Sequence, residues 1–426
     1  MSSQTLARRL GLPRTRGNGR LLAALAVDAL GNGLMAPFLL LFLGSWTGLE
    51  LLVIGSVLTA ARLAALPLGV AAGPLTDRIG PRRALVCSGL AQAAGVGGYL
   101  LCAHAWQVAG CALLAAAGDA VFWVAHRSMT AAVVPEADRP RWLGAQIALR
   151  NGAFAVGGLA AALVVAAPGR TGLAVLTAVN AASYLGLAAL VGTWHPATRP
   201  VPAASDVESV SYRVVLADRA YLLFVAVNLL LVVAMATPAL LLAVYVGDVL
   251  HGPVWLVGVA FTAETVLIAL CQTVVGRLLE RHRRTRVLRW AVLAFAASFL
   301  AYALLPAVPA SLLGPCLLGA VLITTAANLL EGPTGVGLVT DAAPDRVRGR
   351  YTAVYQLSWN IGKAVTPGAA AWLLARGPAV PWLALTACCA LAYALLTRLS
   401  RTLPTRIDAP HRPTPAPAAP APAAPA

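Results

Sequence analysis

Apolar runs of about 20 residues recur along the whole chain, and a run of that length crosses a hydrocarbon core of roughly 30 Å as a helix. Twelve are legible, near 21–43, 51–73, 84–104, 106–126, 143–167, 171–194, 220–246, 254–278, 287–307, 311–339, 351–375 and 379–399. Little more than Ala105 separates the third from the fourth. Of the 426 residues, 59% are hydrophobic and 11% charged, where a soluble domain carries about a quarter charged residues. Backbone in lipid must satisfy its own polar groups, so the expected fold is an all-α membrane protein of twelve spanning helices.

A net charge of +16 would suit nucleic acid, but the placement of the charge argues against that partner. With the N-terminus inside, 27 of the 32 basic residues fall at the N-terminus, in the even-numbered loops with their flanking helix ends, and at the C-terminus. The odd-numbered loops hold only Arg170 and Arg376, while Arg62, Arg150 and Lys363 fall inside apolar runs. This is the positive-inside bias, and it predicts cytoplasmic termini with a basic face turned to anionic lipid. The opening stretch resembles a signal n-region, yet the apolar run after it is too long for a signal h-region and lacks a clear cleavage site, so it is expected to be a retained first span. The seven cysteines lie within spans and form no CxxC, which suggests neither a disulfide framework nor a zinc site.

The chain also repeats itself. "MAPFLLLFL" from Met35 echoes "MATPALLLAVY" from Met235, and "PEADRPRWLGAQIALRN" from Pro135 echoes "PDRVRGRYTAVYQLSWN" from Pro344 at an offset of 209. The expected organisation is a basic cytoplasmic N-terminus (1–20), a six-helix half (21–194), a cytoplasmic central loop (195–219), a second six-helix half (220–399) and a Pro/Ala-rich disordered tail (400–426). Two pseudo-symmetric halves of this kind are a transporter architecture with the substrate site between them. Lys363, the only lysine, aligns under that offset with Phe154.

After the second run comes "GPLTDRIGPRR", Gly73 to Arg83. It resembles the loop between helices two and three of the major facilitator superfamily, G-x-x-x-D-R-x-G-[RP]-[RK]-[RK], matching at Gly73, Asp77, Arg78, Gly80, Arg82 and Arg83. A degenerate copy, "GRLLERHRRTR", begins at Gly276 with Glu280 and Arg281 at the corresponding places. "DALGNGLMAP" and "LLEGPTGVGLVTDAAPDRVRGRY" resemble helix one, and helix ten with its following loop, of the twelve-helix bacterial drug/proton antiporters. There are departures: the helix-five antiporter signature survives only as "GAFAVGG", without its proline, and helix four offers Asp119 where those antiporters carry an arginine. The resemblance implies alternating access between two halves. It also implies that Asp77 latches onto the N-terminus of helix eleven, near Tyr351, while the cytoplasmic side is shut.

Seven ionisable residues fall within spans: Asp28, Arg62, Asp119, Arg150, Glu264, Glu331 and Lys363. Each costs at least roughly 2.5–3.5 kcal/mol if it faces lipid at mid-depth, so each is expected to point inward, paired or wet. Counting about 1.5 Å per residue from the inner end places Asp28, Asp119 and Arg150 at one depth and Arg62, Glu264 and Lys363 nearer the middle, with Glu331 between. Arg150 could then meet Asp28 or Glu264. Lys363 is expected to pair with Glu331, or with Glu264 as second choice, with Arg62 across from it. Four acids against three bases leave one carboxylate free to exchange protons, with Glu331 or Asp28 favoured. Static ion pairs that specify packing are the competing account of all seven.

These features predict a secondary transporter in the bacterial inner membrane, monomeric and without cofactor or metal, most simply a proton-coupled exporter of a drug or natural product, that is, an antiporter of the multidrug-resistance kind. The alternative is a proton-coupled importer of a metabolite or organic anion, which the three interior cations would suit. The six histidines are scattered at loops and ends without metal spacing, so a membrane enzyme is not expected.

Overall fold

The computed structural model describes residues 17–402 apart from 136–137, 166–169, 196–212, 280 and 343–347, together with Asp408. No strand occurs among the described residues. Among the described residues twelve long helices run in chain order. The first half holds α1 (Gly19–Thr47), α2 (Leu51–Ile79), α3 (Pro81–Gly98), α4 (Ala105–Val133), α5 (Arg139–Val165) and α6 (Arg170–Gly192). The second holds α7 (Arg219–Val244), α8 (Trp255–Leu279), α9 (Arg284–Leu304), α10 (Ala310–Ala342), α11 (Arg348–Leu374) and α12 (Val380–Thr402). Eleven of them are long and apolar enough to cross a membrane. The twelfth is α11, whose arginines, amides and Lys363 dilute its apolar residues.

Local chemistry sets the breaks. Gly48 and Gly80 take positive φ values of 68° and 84°, open to glycine at no steric cost. Pro81 then begins α3 at the first helical position, where its missing N–H is no loss. A short 3₁₀ turn, Ala36–Phe38, interrupts α1 at Pro37, and α7 ends in a π turn, Tyr245–Val249. Gln107 Oε1 accepts from the amides of Ala103 and His104 at 2.7 and 3.0 Å to start α4. Asp218 Oδ1 accepts from Tyr221 N at 3.0 Å to start α7.

The start of α9 is capped from far away in sequence. Asp408, 5% exposed, accepts from Thr285 N at 2.8 Å and from Thr285 Oγ1 at 2.9 Å. A carboxylate at a helix N-terminus meets both free amides and a favourable dipole. The expected disordered tail therefore contains at least one fixed residue. Most of that tail, like most of the central loop, lies outside the described residues.

The two halves pack alike. In the first, α1 lies against α5 and α6, α4 against α2 and α3, and α3 against α6; the second repeats this with α7 on α11 and α12, α10 on α8 and α9, and α9 on α12. The equivalent helices α5 and α11 are 27 residues each, and both their ends lie at the offset found in the sequence. The halves meet along two matching seams, α5 on α8 and α2 on α11.

Candidate functional site

In the first half, charge is built into the helix contacts. Asp28 is 2% exposed, and Arg150 Nη1 donates to its Oδ2 at 2.8 Å. Asn32, one turn further along α1, donates to Asp28 Oδ1 at 3.2 Å and accepts from Tyr184 Oη at 2.8 Å. The Arg150 guanidinium lies 5.5 Å from the Phe122 ring centre and 5.0 Å from that of Trp123. Three helices and an aromatic wall thus hold one buried ion pair. α1 and α5 approach this closely because Gly33 and Gly157 lack side chains: a Cβ on Gly33 would come within 2.2 Å of the Phe154 carbonyl oxygen, and one on Gly157 equally near that of Leu30.

Across from this network, a cavity of about 320 Å³ opens between α5 of the first half and α7, α8, α9 and α10 of the second. Phe154, Met235, Leu242, Phe261, Ile268 and Val321 contribute apolar wall, with Asn151, Tyr302 and Thr324 among the polar groups. Glu264 is its carboxylate and accepts from Asn328 Nδ2 at 2.7 Å. Glu331, two turns along α10 from Thr324, is 3% exposed. No hydrogen bond or ion pair reaches its side chain among the described residues. Its carboxylate occupies room left by Gly335, where a Cβ would stand 2.8 Å from Glu331 Oε1 and 3.4 Å from Tyr355 Oη.

At the other seam, Arg62 Nη1 approaches the backbone oxygen of Lys363 at 3.5 Å, and Lys363 Nζ lies 5.4 Å from the Trp359 ring centre. The expected pairing of Lys363 with Glu331 or Glu264 is not made. Lys363 is exposed, and the charges that reach it are those of Asp119 and Arg62, both in the first half. The cause is rotation about α11. Gly362 packs on α7, where a Cβ would lie 2.6 Å from Val232 Cγ1, and the next residue points about 100° away from that contact. Lys363 is thereby turned toward α2 and α4 and away from α10. Asp119 is exposed and lies within Coulombic range of Asp28 as well as Lys363.

The signature loop is anchored by one arginine. Arg82 Nε donates to the Val191 oxygen at 3.1 Å, and its Nη2 reaches the Gly192 oxygen and, at 3.4 Å, His195 Nε2. Arg78 and Arg83 are exposed, and Gly73 is half-buried inside α2. Asp77 is exposed without a hydrogen bond or ion pair from its side chain among the described residues; residues 343–347, which lead into the α11 start it is expected to latch, lie outside them. In the second copy, Gly276 is half-buried near the end of α8, Arg281 is exposed, and Glu280 lies outside the described residues.

The family model of the Major Facilitator Superfamily matches residues 21–332 and 233–426, which together take in nearly the whole chain. The chain belongs to the major facilitator superfamily. Among curated proteins it is similar to the uncharacterized MFS-type transporter YhjO of Bacillus subtilis (strain 168), 23% identical over 392 residues that span 90% of this chain and 92% of that one. Solved superfamily-like structures share the fold at low identity. The nucleoside transporter NupG aligns with a TM-score of 0.74 at 10% identity, covering 90% of this chain and 98% of that one. A bacterial homologue of the iron transporter ferroportin, in its inward-facing state, gives 0.71 at 16% identity, covering 91% and 99%. Membership makes the chain a multi-pass transporter, and transport of this superfamily is secondary.

The two halves touch closely along both seams. Each seam has a glycine contact toward the face opposite the termini. A Cβ on Gly55 of α2 would be 2.5 Å from the Pro367 oxygen of α11, and Gly368 N donates to Thr59 Oγ1 at 2.8 Å. On the other seam a Cβ on Gly258 would be 2.6 Å from Ala162 Cβ, and Thr262 Oγ1 approaches the Ala155 oxygen at 3.3 Å. The residues that sequence reasoning passed over are Tyr184, Tyr302 and Tyr355, which take part in the buried polar contacts. A tyrosine inside an apolar run was the available signal, since a buried hydroxyl needs a partner.

Proposed function

We propose that this chain is an exporter of a small, largely apolar organic molecule, driven by proton entry and working by alternating access. The observation that carries the reading is the lining of the cavity between the halves: chiefly apolar wall around the one carboxylate of Glu264. Such a lining accepts a lipophilic molecule, neutral or cationic, and opposes an organic anion. Pockets of this kind take most of their affinity from apolar contact and their orientation from a few polar groups.

Glu331 is the proton carrier in this reading. A buried carboxylate without a partner is costly when ionised. It therefore holds a proton while enclosed and releases it when water reaches it. Asp28 is the second carrier, and its release requires Arg150 to let go. The basic termini and even-numbered loops face the cytoplasm of a bacterial inner membrane. The glycine seams then close the outer side, leaving the cleft to load from inside as one chain without a partner subunit. The cargoes named for the structural neighbours run from nucleosides to peptides, so the fold alone does not choose among them.

Accumulation of a panel of lipophilic dyes in cells tests this reading. Expression should lower accumulation of at least one dye, and a protonophore should abolish the difference. Higher accumulation on expression, or a protonophore without effect, would overturn it. A second reading rests on Arg62 and Lys363, two exposed cations near one another at the α2–α11 seam; an organic anion bound between them would make the chain an importer. In that case expression raises uptake of an anion, and Lys363→Gln abolishes the uptake.

A further inference from the structure

On the flank of the second half, away from both seams, α9 and α12 leave an open cavity of about 390 Å³ lined by Arg286, Arg289, Trp290, Leu293 and Tyr393. Its chemistry is graded along α9. Arg286 and Arg289 stand in the first two turns of that helix, at the face that carries the termini, and Trp290 and Leu293 follow deeper in. Neither guanidinium has a hydrogen bond or ion pair among the described residues. From Leu293 at the cavity's edge, the track continues past it with Leu300 and Leu304; the three are 53%, 45% and 65% exposed. Their spacing of seven and four residues keeps them on one stripe of the helix.

A cationic mouth, two aromatic rings and an apolar track match an amphiphile with a negative head. A guanidinium presents paired donors in the geometry of phosphate oxygens. Tryptophan and tyrosine favour the headgroup level of a bilayer, and basic pockets between spanning helices on the cytoplasmic side attract anionic lipid heads. The cavity shares no lining residue with the cleft between the halves, so it is not a second mouth of the transport path.

We propose that this cavity is a binding site for an anionic membrane phospholipid, its phosphate held by Arg286 and Arg289 and an acyl chain laid along Leu293, Leu300 and Leu304. The seat is specific, in contrast to the diffuse attraction that any basic surface exerts on a charged leaflet. Its position on α9 puts the lipid next to the helix start that Asp408 caps.

The test uses the purified full-length protein in detergent, titrated with short-chain phosphatidylglycerol, with phosphatidylcholine of the same chain length, or with inorganic phosphate. Bound lipid is read by native mass spectrometry and thermal unfolding. Phosphatidylglycerol is expected to bind saturably and raise Tm, while the other two do neither. The double variant Arg286→Gln/Arg289→Gln should weaken phosphatidylglycerol by roughly 30-fold. Arg78→Gln/Arg83→Gln, which removes equal charge from the other half, should leave the affinity unchanged. Equal effects of the two lipids would overturn the proposal, as would an equal loss in both double variants. A phosphate effect matching that of phosphatidylglycerol would make it a free-anion site and overturn the lipid assignment. Should the double variant fail to fold, Arg286→Gln alone and Trp290→Leu give the same reading by the same titration.

Discussion

Arg150 of α5 and Asp28 of α1 form an ion pair at 2.8 Å in which the carboxylate is 2% exposed, and Asn32 and two aromatic rings complete its surroundings. Removing one partner strands the other as an uncompensated buried charge. Arg150→Leu is expected to lower stability by about 3–5 kcal/mol. Arg150→Leu combined with Asp28→Leu should cost less than Arg150→Leu alone. Chemical unfolding in detergent checks both. A double variant that loses the sum of the two single losses would mean the pair contributes no coupling.

Glu331 has no hydrogen-bond or ion-pair partner among the described residues, so Glu331→Gln should fold with stability unchanged or slightly raised. Transport driven by a proton gradient should fall at least tenfold, while substrate exchange across a membrane without a gradient persists. In an antiporter proton and substrate compete, so substrate should bind the parent protein more tightly as pH rises. If Glu331 carries the proton, substrate binding in the parent protein depends on pH through its titration, and the glutamine variant flattens that dependence. Reconstituted vesicles with and without an imposed pH gradient make the measurement. A variant that still concentrates substrate would remove Glu331 from the coupling.

Much of this arrangement is legible in one dimension. Run lengths give the helices, α11 among them despite Lys363 and its polar neighbours, and the offset of 209 residues pairs α11 with α5. Depth along a helix is also countable, so Asp28 and Arg150 could be placed level with each other. Rotation about the helix axis is not countable. It depends on which residue the neighbouring helix presses against, and for α11 that is Gly362 under Val232. The wrong partners expected for Lys363 come from that missing angle. The ring contacts of Arg150 and the hydrogen bond from Tyr184 to Asn32 likewise join helices that the sequence alone does not bring together.

Because Lys363 makes no ion pair among the described residues, Lys363→Gln should shift stability by less than about 0.5 kcal/mol, within the range of unconstrained substitutions. Any larger effect should appear in transport alone. Comparison of melting temperature with substrate flux separates the two. A large loss of stability would show that the Trp359 contact and the nearby Asp119 charge hold the helix in place.

At the seam, Gly55→Leu places a side chain where a Cβ alone would lie 2.5 Å from the Pro367 oxygen. The halves should then fail to close at the face opposite the termini while each half stays folded. Spin labels on α2 and α11 near that face should report a longer distance than in the parent protein, with transport lost. An unchanged distance would mean that the seam can yield without separating the halves.

The bond from Asp408 to Thr285 bears on how the protein is handled. Fusions, affinity handles and fluorescent reporters are commonly attached directly after a last spanning helix, here at Thr402. Cutting there removes the cap of a helix in the same half and exposes its first amides, a loss of about 0.5–2 kcal/mol for an ordinary N-cap. A reporter joined beyond residue 408 should melt at the temperature of the intact chain, whereas one joined at 402 should melt lower and give a smaller yield of folded protein.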